Sequence, residues 1–127
     1  MSRFLLAGLC LTLFVAGCRS RDHGTSLTTP EELDRFLSEH NVVLLDFSAA
    51  WCGPCQAMKP TIRGIEKDYA GRIGVAVIDV DQAPKLAKKY HVSSIPCLFV
   101  LQKGRVMSVL RGLKSRDEVE EAIKEAL

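Results

Sequence analysis

The chain opens with an apolar run from Phe4 to Gly17, interrupted only by Thr12, and then switches abruptly to Arg19-Ser20-Arg21-Asp22. Residues 19–26 are polar and carry no period. Beyond them the pattern becomes regular. Thr29-Pro30-Glu31-Glu32 predicts a helix start: Thr29 can cap, Pro30 suits the first helical position, and Glu32 closes a capping box. Leu33, Phe36 and Leu37 recur at helical spacing, with an end near His40-Asn41. Val42 to Phe47 is apolar except for Asp46, which suits a central strand covered on both faces. A long helix follows from about Cys52 to Tyr69, with Pro60 inside it and a kink expected there. Gly74 to Val80 reads as a second buried strand. Ala83 to Tyr90 reads as a short helix with Lys85, Lys88 and Lys89 on its solvated side. Cys97 to Gln102 and Arg105 to Leu110 are strands joined by Lys103-Gly104, a two-residue hairpin signal. Ser115-Arg116-Asp117-Glu118 is a second capping box, opening a C-terminal helix with Val119, Ile123 and Leu127 on one side.

The order is helix, strand, helix, strand, helix, strand, strand, helix. A parallel β–α–β half followed by a hairpin and a closing helix predicts an α/β fold. Its mixed sheet should have about four to five strands, with helices on both faces. At 127 residues and 47% apolar content the chain can build one domain around one core. It carries no internal repeat and no low-complexity tract. A formal net charge of +2 is too small to point to a nucleic-acid partner.

The first residues form a separate unit. Arg3, the short apolar run and its small-residue end describe an export signal, since the run falls short of the roughly 20 residues that span a bilayer. Val15-Ala16-Gly17-Cys18 resembles the lipobox of bacterial lipoproteins. That resemblance implies cleavage before Cys18 and acylation of its thiol. The chain then divides into a signal over 1–17, a lipidated cysteine and flexible tether over 18–26, and a folded domain over 27–127. Cleavage removes only Arg3 among the charged residues, so the mature charge falls from +2 to about +1. The eight tether residues reach less than about 30 Å, and His23 among them reads as solvated. Arg19 follows the lipidated cysteine, where an aspartate would retain a Gram-negative lipoprotein at the inner membrane; its absence leans toward the periplasmic side of the outer membrane. In a host with one membrane the domain would stand on its outer face.

With Cys10 lost and Cys18 acylated, Cys52, Cys55 and Cys97 remain in the domain. Three thiols do not make a disulfide framework; one reactive pair plus one extra thiol is the simpler reading. Cys52 and Cys55 lie three apart where a strand gives way to a helix, so both fall on one side of its first turn. Their Cα atoms should stand about 5–6 Å apart, within reach of a reversible disulfide. At the helix N-terminus the free N–H groups and the dipole favour a thiolate on Cys52. Cys55, one turn in, should be more buried and stay protonated. Cys52 would then attack a substrate disulfide, and Cys55 would resolve the mixed disulfide. Gly53 lets a partner approach, Pro54 lacks an N–H that would be unpaired so near the helix start, and Trp51 offers an apolar plate.

Trp51-Cys52-Gly53-Pro54-Cys55 resembles the active site of the thioredoxin family, and the likeness extends from about Leu27 to Leu127. It implies the thioredoxin fold and a protein-disulfide oxidoreductase working without a cofactor, as a monomer. Asp46 stands where the family keeps a buried acid, costly to bury in charged form, and the resemblance gives it the role of proton acceptor for Cys55. Pro60 matches the family's helix kink. Ile95-Pro96 resembles the cis-proline segment whose backbone pairs with substrate; Gly104 matches a family glycine, as does Gly112, which would leave room for that substrate chain.

The chain also departs from the family. Cys97 follows Pro96 where threonine is usual: an apolar filler, a regulatory thiol or a third soft metal ligand. Val77 takes the place of a lysine that often accompanies the acid, and Gln56 that of a cation after the second cysteine. The expected activity is a membrane-anchored reductase of protein disulfides, fed by a membrane thiol-electron-transfer protein. Its targets would be cytochrome c precursors or proteins with wrong disulfides. The alternatives are copper, zinc or iron–sulfur binding through Cys52, Cys55 and Cys97, or an isomerase or oxidase on the same fold.

Overall fold

The computed structural model describes residues 23–127. Cys18, the signal and most of the tether lie outside the described residues. In chain order the elements are β1 (Thr25–Ser26), α1 (Pro30–Glu39), β2 (Val42–Ser48), α2 (Gly53–Asp68) and β3 (Gly74–Asp79). α3 (Pro84–Lys89), β4 (Cys97–Gln102), β5 (Arg105–Arg111) and α4 (Arg116–Ala126) complete the domain. The five strands form one mixed sheet in the order β1-β3-β2-β4-β5. β3 runs parallel to both β1 and β2, while β4 is antiparallel to β2 and β5 to β4.

β2 is central and all seven of its residues are buried. Its side chains alternate between two cores. Val42 and Leu44 join Met58, Ile62 and Ile65 of α2 and Val119 and Ile123 of α4 on one face. Val43, Leu45 and Phe47 join Leu33 and Phe36 of α1 and Leu86 of α3 on the other. Burial on both faces is why this strand reads as a continuous apolar run. Asp46 follows Val42 and Leu44 to the α2 face, where it is 3% exposed.

The helix starts are set locally. Thr29 and Ser115 both accept an N–H bond from the residue three on, and Glu32 and Glu118 reach back to complete capping boxes. Ser115→Ala should cost about 1 kcal/mol of stability, seen as a lower urea midpoint with an unchanged slope. Lys103 and Gly104 both have positive φ, 50° and 76°, the backbone of a tight two-residue hairpin turn. α2 runs from Gly53 to Asp68 with Pro60 inside it.

The N-terminal boundary needs correction. Thr25 and Ser26 were expected in the tether but pair with Ala76 and Val77 of β3, and Leu27 N–H donates to the Val77 carbonyl at 3.0 Å. His23 was expected in solvent and is 5% exposed. A two-residue polar strand has too few positions to show a period, so the pattern gave no sign of it. Gly24 makes the entry possible: its φ is +62°, and a Cβ there would stand 3.0 Å from the Val75 carbonyl oxygen. Its N–H donates to Glu66 Oε2 of α2 at 2.8 Å.

Candidate active site

Cys52 and Cys55 are joined by a disulfide, with Cα atoms 5.2 Å apart. Cys52 is the N-cap of α2, and its sulfur accepts the Cys55 backbone N–H at 3.2 Å. That same donor, with the dipole behind it, stabilises a thiolate on Cys52 once the pair is reduced. Exposure separates the two thiols little, 4% against 2%, contrary to the expected contrast. Their difference is one of position: Cys52 caps the helix and Cys55 lies within its first turn.

The turn before the pair is tied down. Cys52 N–H donates to the Ala49 carbonyl at 3.2 Å, and Gln56 Nε2 donates to the same carbonyl at 3.1 Å. Gln56 thus holds a loop in the position where a cation was looked for. Gly53 and Pro54 are exposed, and a Cβ at Gly53 would meet nothing within 4 Å. A partner can therefore come close to the disulfide. Trp51 is 71% exposed, so it is not a core residue. Its indole N–H donates to Asp81 Oδ2 at 2.8 Å, which holds the ring beside the pair. Sequence reasoning missed Asp81, which lies thirty positions away in a polar turn and carries no local signal.

The remaining wall comes from the loop before β4. Ile95 packs with Val80 against Ala49, Cys52 and Cys55. The Ile95-Pro96 bond is cis. Gly112 N–H donates to the Pro96 carbonyl at 2.9 Å, and a Cβ on Gly112 would meet nothing within 4 Å. Trp51, Val80, Val92, Ser93, Ser94 and Ile95 line a shallow cleft of about 260 Å³ beside the thiols.

Cys97 is a free, buried thiol on β4. Burial pushes the pKa of this thiol up; the Arg111 charge opposes this and the Asp46 charge adds to it. Its thiolate should therefore form only above the ordinary thiol range, and the reactive form grows as pH rises. In a Cys52→Ser/Cys55→Ser double variant, alkylation of native Cys97 at pH about 8 should run at least tenfold slower than after unfolding. Mass spectrometry would read this; equal rates would refute the burial account. Among the described residues no three His, Cys, Asp or Glu side chains are grouped to hold a metal ion, so Cys52, Cys55 and Cys97 do not form such a set.

Asp46 is joined by a residue the sequence had left in the tether. His23 Nε2 lies 2.8 Å from Asp46 Oδ2, with the two side chains 2% and 4% exposed. No local signal could have found this pair, because it spans 23 positions.

Comparisons with known proteins agree with this arrangement. The family model described as Thioredoxin matches residues 24–125. A thioredoxin of Staphylococcus aureus is 36% identical over 89 residues, covering 70% of this chain and 86% of that protein. Among solved structures, a mutant thioredoxin from Halobacterium salinarum superposes with a TM-score of 0.77 at 34% identity, covering 87% of this chain and 96% of that one. The oxidized mitochondrial thioredoxin 3 of Saccharomyces cerevisiae gives 0.74 at 28% identity, covering 80% and 93%. A redox pair capping a helix, set in a domain matched over nearly its whole length, leads to one conclusion: the chain belongs to the thioredoxin family and is a thiol–disulfide oxidoreductase.

Proposed function

We propose that the protein is a membrane-anchored reductase of protein disulfides on the extracytoplasmic side. The observation that carries the chemistry is Cys52 at the N-cap of α2, its sulfur accepting the Cys55 N–H. In the reduced state the Cys52 thiolate attacks one sulfur of a substrate disulfide and expels the other as a thiolate. Cys55 then gives its proton to Asp46 and attacks Cys52. The Cys52–substrate bond breaks as the Cys52–Cys55 bond forms, and two electrons have passed to the substrate. The substrate backbone lies along Ile95-Pro96, with Gly112 leaving it room. The lipobox-like Val15-Ala16-Gly17-Cys18 supports anchoring through Cys18. Cys18→Ala should abolish incorporation of labelled fatty acid and release the protein from membranes. Because no soluble nicotinamide-linked reductase serves that compartment, a membrane thiol-electron-transfer protein regenerates the dithiol.

The test is the reduction potential of the Cys52/Cys55 couple in the purified protein, equilibrated against thiol buffers. A value near the roughly −270 mV of thioredoxin supports the reductase. A value above roughly −180 mV, in the range of isomerases and oxidases, would make this protein a disulfide donor or isomerase instead.

A further inference from the structure

The thiol chemistry described above uses Asp46 but gives no part to its buried partner His23. Both side chains are more than nine-tenths buried and meet at 2.8 Å. Such a pair can hold its proton in several ways. Among the described residues, no hydrogen-bond partner reaches the buried His23 Nδ1. A proton on Nδ1 would leave a buried N–H donor unpaired, which native structures rarely tolerate. The geometry therefore favours the tautomer in which His23 Nε2–H donates to Asp46 Oδ2. Val77, the register neighbour of Asp46 on β3, is apolar, and Leu98 opposite it on β4 is apolar too.

We propose that His23 is the positioning residue for the resolving step: by donating to Asp46 Oδ2 it orients that carboxyl group to take the Cys55 proton. The assignment rests on the reading of Asp46 as the proton acceptor. It gives the start of the domain a chemical role. Gly24, held by Glu66 and turned at positive φ, folds the chain so that His23 enters beside β2. The other titratable groups around the pair are Lys59 and Glu66 of α2, Asp79 of β3 and Cys97 of β4. Lys59 and Asp79 line the same cleft as His23, Glu66 binds the Gly24 N–H, and Cys97 feels the Asp46 charge. All four are retained in the variants below, so a change between variants reports on His23.

The experiment mixes the reduced protein with one equivalent of a chromogenic nitrobenzoate disulfide and follows release of the coloured thiolate. The first phase is attack by Cys52; the second is resolution by Cys55, which releases the remaining thiolate. His23→Leu keeps apolar volume and removes the donor. It should slow the second phase about tenfold near neutral pH. His23→Gln keeps an N–H donor and should stay within about twofold of the parent protein. The first phase reports whether fold and nucleophile are intact. The assignment is overturned if His23→Leu leaves the second phase unmoved. It is also overturned if the variant slows that phase equally in an Asp46→Asn background. Asp46→Asn separates the two readings. If it slows the second phase and His23→Leu does not, only the role of His23 falls. If Asp46→Asn itself changes nothing, the Asp46 reading falls and takes the other with it.

Discussion

Cys52→Ser should abolish disulfide reduction, lowering the rate by at least about a thousandfold, whereas Cys55→Ser should stop the reaction halfway. The two thiols are buried to almost the same degree, so an account based on access would predict similar losses. The helix terminus predicts different ones. Cys52 caps α2 and receives the Cys55 N–H, so it is the thiol stabilised as a nucleophile. A serine hydroxyl in its place is far too weak an acid to attack at neutral pH. With Cys55→Ser, Cys52 still attacks, and no second thiol in the first turn can displace the substrate. A covalent complex should accumulate that survives denaturation without reductant and disappears when reductant is added. Mass spectrometry of the trapped species measures this. Accumulation with Cys52→Ser instead would reverse the assignment. Trapping by neither variant would remove the mixed-disulfide mechanism altogether.

Phe47→Ala should be among the most destabilising changes in the domain and yet leave the redox chemistry of the folded molecules intact. Phe47 is fully buried. Its ring lies 5.4 Å from Phe99 and 5.6 Å from Tyr90, and those two rings lie 5.2 Å apart. This aromatic triangle fills the core between the sheet, α1 and α3. Removing one ring loses the transfer energy of a large side chain and leaves a cavity that the neighbouring strands cannot close. The expected loss is about 3–5 kcal/mol, against a total of about 5–15 for a domain of this kind. Urea unfolding should show a large fall in midpoint. The Cys52–Cys55 pair sits at the start of α2 in a separate buried cluster with Ala49, which meets the core of this triangle only through the half-buried Val80 and Ile95. The potential of the remaining folded protein should therefore match that of the parent. An unchanged midpoint would refute the packing account; a large shift in potential would show that the two cores are coupled.

Much of this architecture was legible in the chain because its causes are local. A capping box needs four consecutive residues, and both Thr29–Glu32 and Ser115–Glu118 form as their spacing predicts. The Lys103-Gly104 turn follows from two residues, one of which tolerates positive φ without cost. β4, and β2 apart from Asp46, announce themselves as apolar runs because both of their faces are covered. Trp51-Cys52-Gly53-Pro54-Cys55 carries its own geometry, since three residues across a helix start bring two thiols within bonding distance. The expectation failed where the cause was distant. β1 exists only because β3 offers it an edge, and Thr25 and Ser26 have no pattern of their own.

The sequence by itself determined the order of the elements from α1 onward, the two-faced sheet and the identity of the reactive pair, because each depends on propensity, period or spacing over a few neighbouring residues. Tertiary structure alone decided what surrounds that pair. Asp81 holds the Trp51 ring from thirty positions away. Ile95 closes against the thiols from the loop before β4. His23, polar and read as solvated, is drawn inside to meet Asp46. The physical reason is common to all three: a polar group bonds to whichever partner the fold brings within hydrogen-bond reach, and an apolar wall is shared by whichever segments converge on it. Neither requirement leaves a trace in the order of residues along the chain.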